Sequence, residues 1–280
     1  MKRPPINQCL VPVLLGKHNF NISMKNRTLL AVPALAVGML ALLVFTQSAL
    51  SQPTVIFSDD FNSYANDAAL TAVWTRISGT SANIGLAPDP AAGGTRGQGI
   101  FETASSNVGR LQHVLSSGIV PTDANPIIFS FDLYDPNGGT TSGRDYAELR
   151  NSAGTGGLFD AGIYNGTQTY YEARNLDGAG WIVLATPRTT GWHTFELDIN
   201  ATTASLEIDG TVDANFNNLT WNGGTSYNWI NLGSALSSSL TANFDNVSLD
   251  VGPVPEPSTA LLSLLGGLCL IARSNRRRMA

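Results

Sequence analysis

The chain has 280 residues and a formal net charge of −5, with 16 Lys and Arg, 21 Asp and Glu, and two cysteines. Such a balance excludes a protein that binds nucleic acid through Lys and Arg at phosphates, and Cys9 and Cys269 are too few for a disulfide framework. Charge is also unevenly placed: all acidic residues lie between Asp59 and Glu256, five basic residues precede residue 28 and four follow residue 272. The middle carries seven arginines against 21 acidic residues, a net charge of −14, and no lysine.

Residues 1–51 read as a leader. Met24-Lys25-Asn26-Arg27 precedes a nearly unbroken apolar run from Leu29 to Phe45, followed by small and polar residues. A basic start, an apolar stretch and small residues at a cut site make a secretory signal. Ala49 and Ser51 take the −3 and −1 positions if the cut precedes Gln52, and Met24 is a candidate start. The length of the apolar run leaves an uncleaved anchor as the alternative.

Residues 52–252 read as an exported β-domain, with short alternating runs separated by Gly, Asn, Asp and Ser. Val55–Phe57 predicts a first strand running into Asp59-Asp60-Phe61. Residues 68–77 predict a short helical turn or an irregular link around Trp74, and residues 87–99 a loop. Strands are expected at Gly99–Thr103, Arg110–Leu115 and Ile127–Tyr134. In the last of these Phe129, Phe131 and Leu133 face one way, Ile128, Ser130, Asp132 and Tyr134 the other. After a turn at Asp135–Gly139, strands follow at Tyr146–Arg150, Leu158–Tyr164, Thr167–Arg174 and Trp181–Ala185, with turns at Asn165-Gly166 and Asp177-Gly178. Gly191–Ile199 turns back through Asn200–Thr203 into Ala204–Asp209. Near the end the pleat changes phase. Ala242 and Phe244 lie on one parity, Val247, Leu249 and Val251 on the other, which demands a bulge near Asp245-Asn246.

The Trp192-His193 strand, its partner ending in Asp209-Gly210, Asp59-Asp60-Phe61 and Phe244-Asp245-Asn246-Val247 resemble parts of concanavalin A-like and laminin G-like jelly rolls. That resemblance implies an all-β fold, a two-sheet jelly-roll sandwich. If its first and last strands pair, Asp59, Asp60 and Asp245 meet and offer oxygens to a structural Ca2+. Asp135, Asn137 and Asp145 are a weaker set. Glu196, Asp198 and Asn200 share one strand face and resemble the Glu-x-Asp-x-Glu signature of jelly-roll glycoside hydrolases. Those enzymes need a second carboxyl, and position 200 is Asn, so no catalytic residue is assigned and a non-enzyme is expected. Trp181, Trp221, Trp229, Tyr170 and Tyr171 are candidates for stacking on sugars, with no ligand assigned. His113 and His193 read as structural.

The tail, residues 253–280, holds Pro255-Glu256-Pro257, an apolar run from Ser258 to Ala272, and the basic residues Arg273, Arg276, Arg277 and Arg278. Prolines set a stiff spacer, and flanking arginines can extend a short membrane helix and mark its cytoplasmic side. This order of parts resembles the PEP-CTERM sorting signal of exosortase substrates. The resemblance implies secretion machinery, exosortase and the membrane as partners, inner-membrane anchoring, and then release to the surface. The expectation is an exported, non-catalytic surface or matrix protein associated with exopolysaccharide. A carbohydrate-binding module is the alternative, with a divergent glycoside hydrolase behind it.

Overall fold

A computed structural model describes residues 52–103, 109–140, 143–151, 158–164, 169–175, 180–235 and 241–252. The expected leader, the expected sorting motif (Pro255, Glu256, Pro257, Arg273, Arg276, Arg277, Arg278), the apolar run at 258–272 and both cysteines lie outside these residues. No helix among the described residues is long and apolar enough to cross a membrane.

The described elements are β1 (Thr54–Asp59), α1 (Asp67–Thr71), β2 (Thr75–Ser78), β3 (Ile84–Pro88), β4 (Gln98–Glu102), β5 (Arg110–Ile119), β6 (Ile127–Asp135), β7 (Asp145–Arg150), β8 (Leu158–Ile163), β9 (Tyr170–Arg174), β10 (Ile182–Pro187), β11 (Gly191–Ile199), β12 (Thr203–Ile208), β13 (Thr211–Val212), β14 (Leu219–Thr220), β15 (Tyr227–Leu232) and β16 (Ala242–Val251). They form two antiparallel sheets. One has nine strands in the order β13-β12-β11-β6-β16-β4-β3, with β1 beside β16 and β14 beside β12. The other has seven, in the order β10-β9-β8-β7-β15-β5-β2.

Alternation explains the layers. Phe129, Phe131 and Leu133 of β6 and Phe195, Leu197 and Ile199 of β11 are fully buried in one core. Phe131 and Phe195 are direct cross-strand partners with rings stacked at 5.1 Å. From the opposite sheet Tyr171 meets Phe195 edge-on at 5.1 Å, so the two layers are in ring contact. The 68–77 stretch resolves into α1, capped by Asn66 accepting from the Ala69 N–H at 3.0 Å, followed by β2. Several strands depart from the sequence reading, the short β13 and β14 among them. β3 occupies the start of the expected loop, and β15 was not foreseen although it lies between β7 and β5.

The phase change in β16 is present. Its register with β6 shifts between Asp245 and Ser248, and Asn246 has φ 47°. That twist returns Phe244, Val247 and Leu249 to the core together. Asn tolerates this left-handed conformation far better than a β-branched residue does, and here its side-chain amide also donates to Asp132 Oδ2 at 2.7 Å. Asn246→Val should therefore lower the unfolding free energy by roughly 2 kcal/mol, from backbone strain plus a lost hydrogen bond. Asn246→Gly, which loses only the hydrogen bond, should cost less. Urea unfolding of the two variants measures the difference.

Candidate functional site

Five strands of the seven-stranded sheet bring one polar side chain each into register. Gln112 of β5 faces Asn231 of β15, Asn231 faces Glu148 of β7, Glu148 faces Asp160 of β8, and Asp160 faces Arg174 of β9. Their neighbours Leu111, Ile230, Leu149, Phe159 and Ala173 fill the core. With a side-chain period of two, the polar row must therefore lie on the sheet face turned away from it.

The row is bonded along its length. Gln112 Nε2 donates to Asn231 Oδ1 at 3.0 Å, and Asn231 Nδ2 donates to Glu148 Oε1 at 2.5 Å. Arg174 Nε donates to Asp160 Oδ2 at 2.8 Å. Arg110 braces the row from one side. Its guanidinium donates to Glu148 Oε1 (3.3 Å), the Tyr146 hydroxyl (3.2 Å) and the carbonyls of Gly233 (3.0 Å) and Ser234 (2.9 Å). Arg150 lies 3.5 Å from the same Glu148 oxygen. Burial, and then the charge of Glu148, hold the Asp160 carboxyl well above the usual carboxylate range. A proton kept on Asp160 lets it donate to Glu148 where two charges would repel.

Beside this row lies an aromatic group. Tyr164 and Trp181 stack at 3.9 Å, and Tyr146 meets Trp181 edge-on at 5.1 Å. The Arg174 guanidinium lies 5.1 Å over Trp181, and that of Arg144 lies 5.1 Å over Tyr164. Gly162 allows the close packing here: it has φ +144°, and a Cβ would come within 2.6 Å of the Asp145 carbonyl oxygen. Glu172 completes this face, its carboxyl raised to about 7 by burial.

Of the five aromatic candidates, Trp181, Trp229 and Tyr170 lie on this outer face. Trp221 and Tyr171 belong to the core: Trp221 packs on Phe159 and donates to the Asn200 carbonyl at 3.2 Å, and Tyr171 packs on Phe195. Glu148, Asp160, Arg110 and Asn231 were not singled out in the sequence, where nothing says which strands will adjoin.

Glu196 and Asp198 do share a face, on the outside of the nine-stranded sheet. Glu196 pairs with Glu207 across β12, and its carboxyl is raised by burial and then by Glu207, Asp198 and Asp250. Asn200 donates weakly to Asp198 at 3.5 Å. β1 and β16 do pair, yet the three expected calcium ligands diverge. Asp59 turns inward, accepting from the Phe61 N–H at 2.8 Å, Trp74 Nε1 at 2.8 Å and the Tyr64 hydroxyl. Asp60 accepts from the Asn62 N–H at 3.1 Å. Asp245 turns to Arg96, 3.8 Å away, and is raised to about 6 by burial. Asp59, Asp60, Tyr64 and Asn246 border an open cleft of ≈ 550 Å³. Among the described residues no group of three His, Cys, Asp or Glu is arranged for a metal. Of the weaker set, Asp135 is occupied by Arg188, bonded at 2.7 and 3.1 Å, while Asp145 is fully buried. His113 bonds the Val73 carbonyl at 3.1 Å and stacks on Phe57, and His193 is held between Asp209 and Thr189.

At the Arg110 end, Glu102 and Asp145 approach each other from the two sheets. Glu102 accepts from the N–H groups of Gly109 (3.2 Å) and Ser234 (3.1 Å), and burial raises its carboxyl to about 7. Asp145 is pushed well above its usual range by burial and then by the charge of Glu102.

Neither a family model nor a curated relative matches the sequence. By structure the chain is similar to the globular domain of T. cruzi calreticulin, with TM-score 0.55 and 14% identity over 81% of this chain and 100% of that one. It is also similar to the carbohydrate esterase vb_24B_21 of the Shiga toxin-encoding bacteriophage phi24B, with TM-score 0.51 and 13% identity over 72% and 100%. At such identities the likeness establishes the fold, a jelly-roll β-sandwich.

The raised carboxyls give a pH dependence of definite sign. Glu102 and Glu172, each about 7 when folded, keep protons that the unfolded chain has lost above its ordinary value of 4.5. Stability is therefore full at low pH and falls as pH rises through about 7. Each pK unit is worth about 1.4 kcal/mol, and about 1 kcal/mol moves the melting temperature of a domain this size by roughly 2–4 °C. The melting temperature at pH 8 should lie roughly 5 °C or more below that at pH 5.5. Glu102→Gln, which removes the titrating carboxyl and keeps one of its two acceptor oxygens, should flatten that slope. Calorimetry of the two proteins across this pH range checks it.

Proposed function

We propose that this chain is an exported, non-catalytic carbohydrate-binding protein of the cell surface or extracellular matrix, and that it holds glycan on the outer face of its seven-stranded sheet. The observation that carries the reading is the row from Gln112 to Arg174. Two amides, two carboxyls and a guanidinium follow one another there, fixed by one another and flanked by Tyr146, Tyr164 and Trp181. Sugar hydroxyls both donate and accept, and the partly exposed guanidiniums of Arg150 and Arg174, held by the buried carboxyls of the row, can meet them. Aromatic walls beside a few convergent polar groups are the usual make-up of a small-molecule site.

Binding without hydrolysis fits the carboxyl spacing. Retaining and inverting glycosidases place their two carboxyls about 5 Å or more apart, across the bond to be cut. Glu148 and Asp160 are direct cross-strand partners and both are buried, so a glycosidic bond does not fit between them. On the other sheet, Asn200 stands where a second acid would be needed. Export is supported by the two ends of the sequence: a basic-apolar-small leader, and a Pro-Glu-Pro, apolar and Arg-rich tail suited to membrane anchoring and exosortase processing.

Purified full-length chain in non-ionic detergent should retain at least one polysaccharide from an immobilised panel, and Tyr170→Ala together with Trp229→Ala should weaken retention about tenfold, the scale of one stacking contact or two. Glu207→Ala, on the opposite sheet, should leave it unchanged. No reducing ends should appear on prolonged incubation. Repeating the measurement with calcium and with chelator reports whether the ion expected at Asp59, Asp60 and Asp245 takes part. Failure to retain any polysaccharide sinks the reading.

A further inference from the structure

Accepting the carbohydrate reading above, we infer that the glycan held on this face is an acidic one, a polysaccharide whose uronate carboxylates are met by Arg144, Arg150 and Arg174. The reason lies in where an acidic body puts its few cations. Between residues 28 and 272 there are only seven arginines and no lysine. Arg76, Arg96 and Arg188 lie elsewhere, paired with Asp67, Asp132 and Asp135. The other four, Arg110, Arg144, Arg150 and Arg174, lie on the outer face of the seven-stranded sheet.

On that face the opposite charges sit at different depths. The Glu148 and Asp160 side chains are 2% and 0% exposed, whereas those of Arg150 and Arg174, which bond them, are 32% and 31% exposed. An approaching ligand meets guanidinium groups with carboxylates beneath them. The retained proton on Asp160 and the raised carboxyl of Glu172 add to the excess of positive charge. Two of these guanidiniums are also fixed in orientation, Arg174 over Trp181 and Arg144 over Tyr164, with the two rings stacked between them. A planar, pre-oriented fork is the group best matched to a carboxylate. The body as a whole carries −14 and repels a polyanion, so a face that gathers four of its seven arginines is the one suited to admit it.

The test uses full-length chain in non-ionic detergent and four probes: polygalacturonate, its fully methyl-esterified form, a neutral β-glucan, and dextran sulfate. Polygalacturonate should bind at least tenfold more tightly than the ester and the glucan, and its affinity should fall as salt rises from 50 to 300 mM. Arg150→Gln combined with Arg174→Gln should lose at least tenfold toward polygalacturonate, while Arg76→Gln should not. Arg150→Gln alone, at a partly exposed side chain, should lose a smaller factor with an unchanged melting temperature. Arg174→Lys should recover only part of what Arg174→Gln loses, because it keeps the charge without the fork. Equal binding of the acid, the ester and the glucan overturns the acidic assignment and leaves the carbohydrate reading standing. Dextran sulfate binding as tightly as polygalacturonate overturns the assignment to carboxylates. No binding by any probe overturns both.

Discussion

Strand β16 is hydrogen-bonded along both edges, and the rest of the sandwich depends on it. One edge pairs with β6 over nearly its whole length. The other pairs first with β4, at Ala242–Phe244, and then with β1, at Val247–Val251. One strand thus joins the segment that opens the domain, a strand from its first third and a strand from its middle. The hand-over from β4 to β1 falls at the Asp245-Asn246 bulge, where a straight strand would turn Val247, Leu249 and Val251 toward water. Residues 52–252 contain no cysteine, so this closure rests on backbone pairing and core packing alone.

The sandwich also buries an unusual number of carboxyls, and they divide by their partners. Glu148, Asp135 and Asp160 keep close arginines. Glu102 and Asp145 are held high mainly by burial, and so is Asp160, with Arg174 offsetting part of it. A lone carboxylate in an apolar interior is costly enough that it takes up a proton instead. The protonated members can then donate hydrogen bonds, which makes a dense polar layer possible in a body short of cations. Among the described residues Arg110 is the buried guanidinium of the outer face, and it ties β5, β7 and the end of β15 into one unit. The row beside it is rigid before any ligand arrives, so little ordering entropy is lost on binding.

How far the sequence could be read follows from the range of each signal. Period-two runs such as Phe129-Phe131-Leu133 and Phe195-Leu197-Ile199 carry their own face assignment, and both are core. The bulge was legible because it too is local, a change of parity within one strand. β15 was not, because its pairing with β5 slips between Tyr227 and Trp229. Buried Tyr227 and Ile230 consequently lie three residues apart and break the alternation that marks a strand. The calcium set was a matter of proximity without direction. Asp59 turns inward to Trp74 and Tyr64, and Asp245 turns outward to Arg96, so strand pairing alone could not make them converge. The polar row takes one residue from each of five strands, and no window of sequence holds more than one of them.

The same topology bears on how the proposed site would stand if the body is carried at a membrane by its ends. Thr54 pairs with Val251, so the chain enters and leaves the body side by side, at one end of β16. Glu102 pairs with Ala242 at the opposite end of that strand, and it bonds Ser234, whose carbonyl also accepts from Arg110. The ten residues of β16 span about 30 Å at the usual rise. The Arg110–Tyr146 end of the proposed site therefore lies roughly a full strand length from both connections. If the body is carried at a membrane by the segment after Gly252, that surface stays clear of the attachment, and a polymer can lie across it without meeting the bilayer. On that proposal, a site built near the Thr54–Val251 end would lie beside the attachment instead.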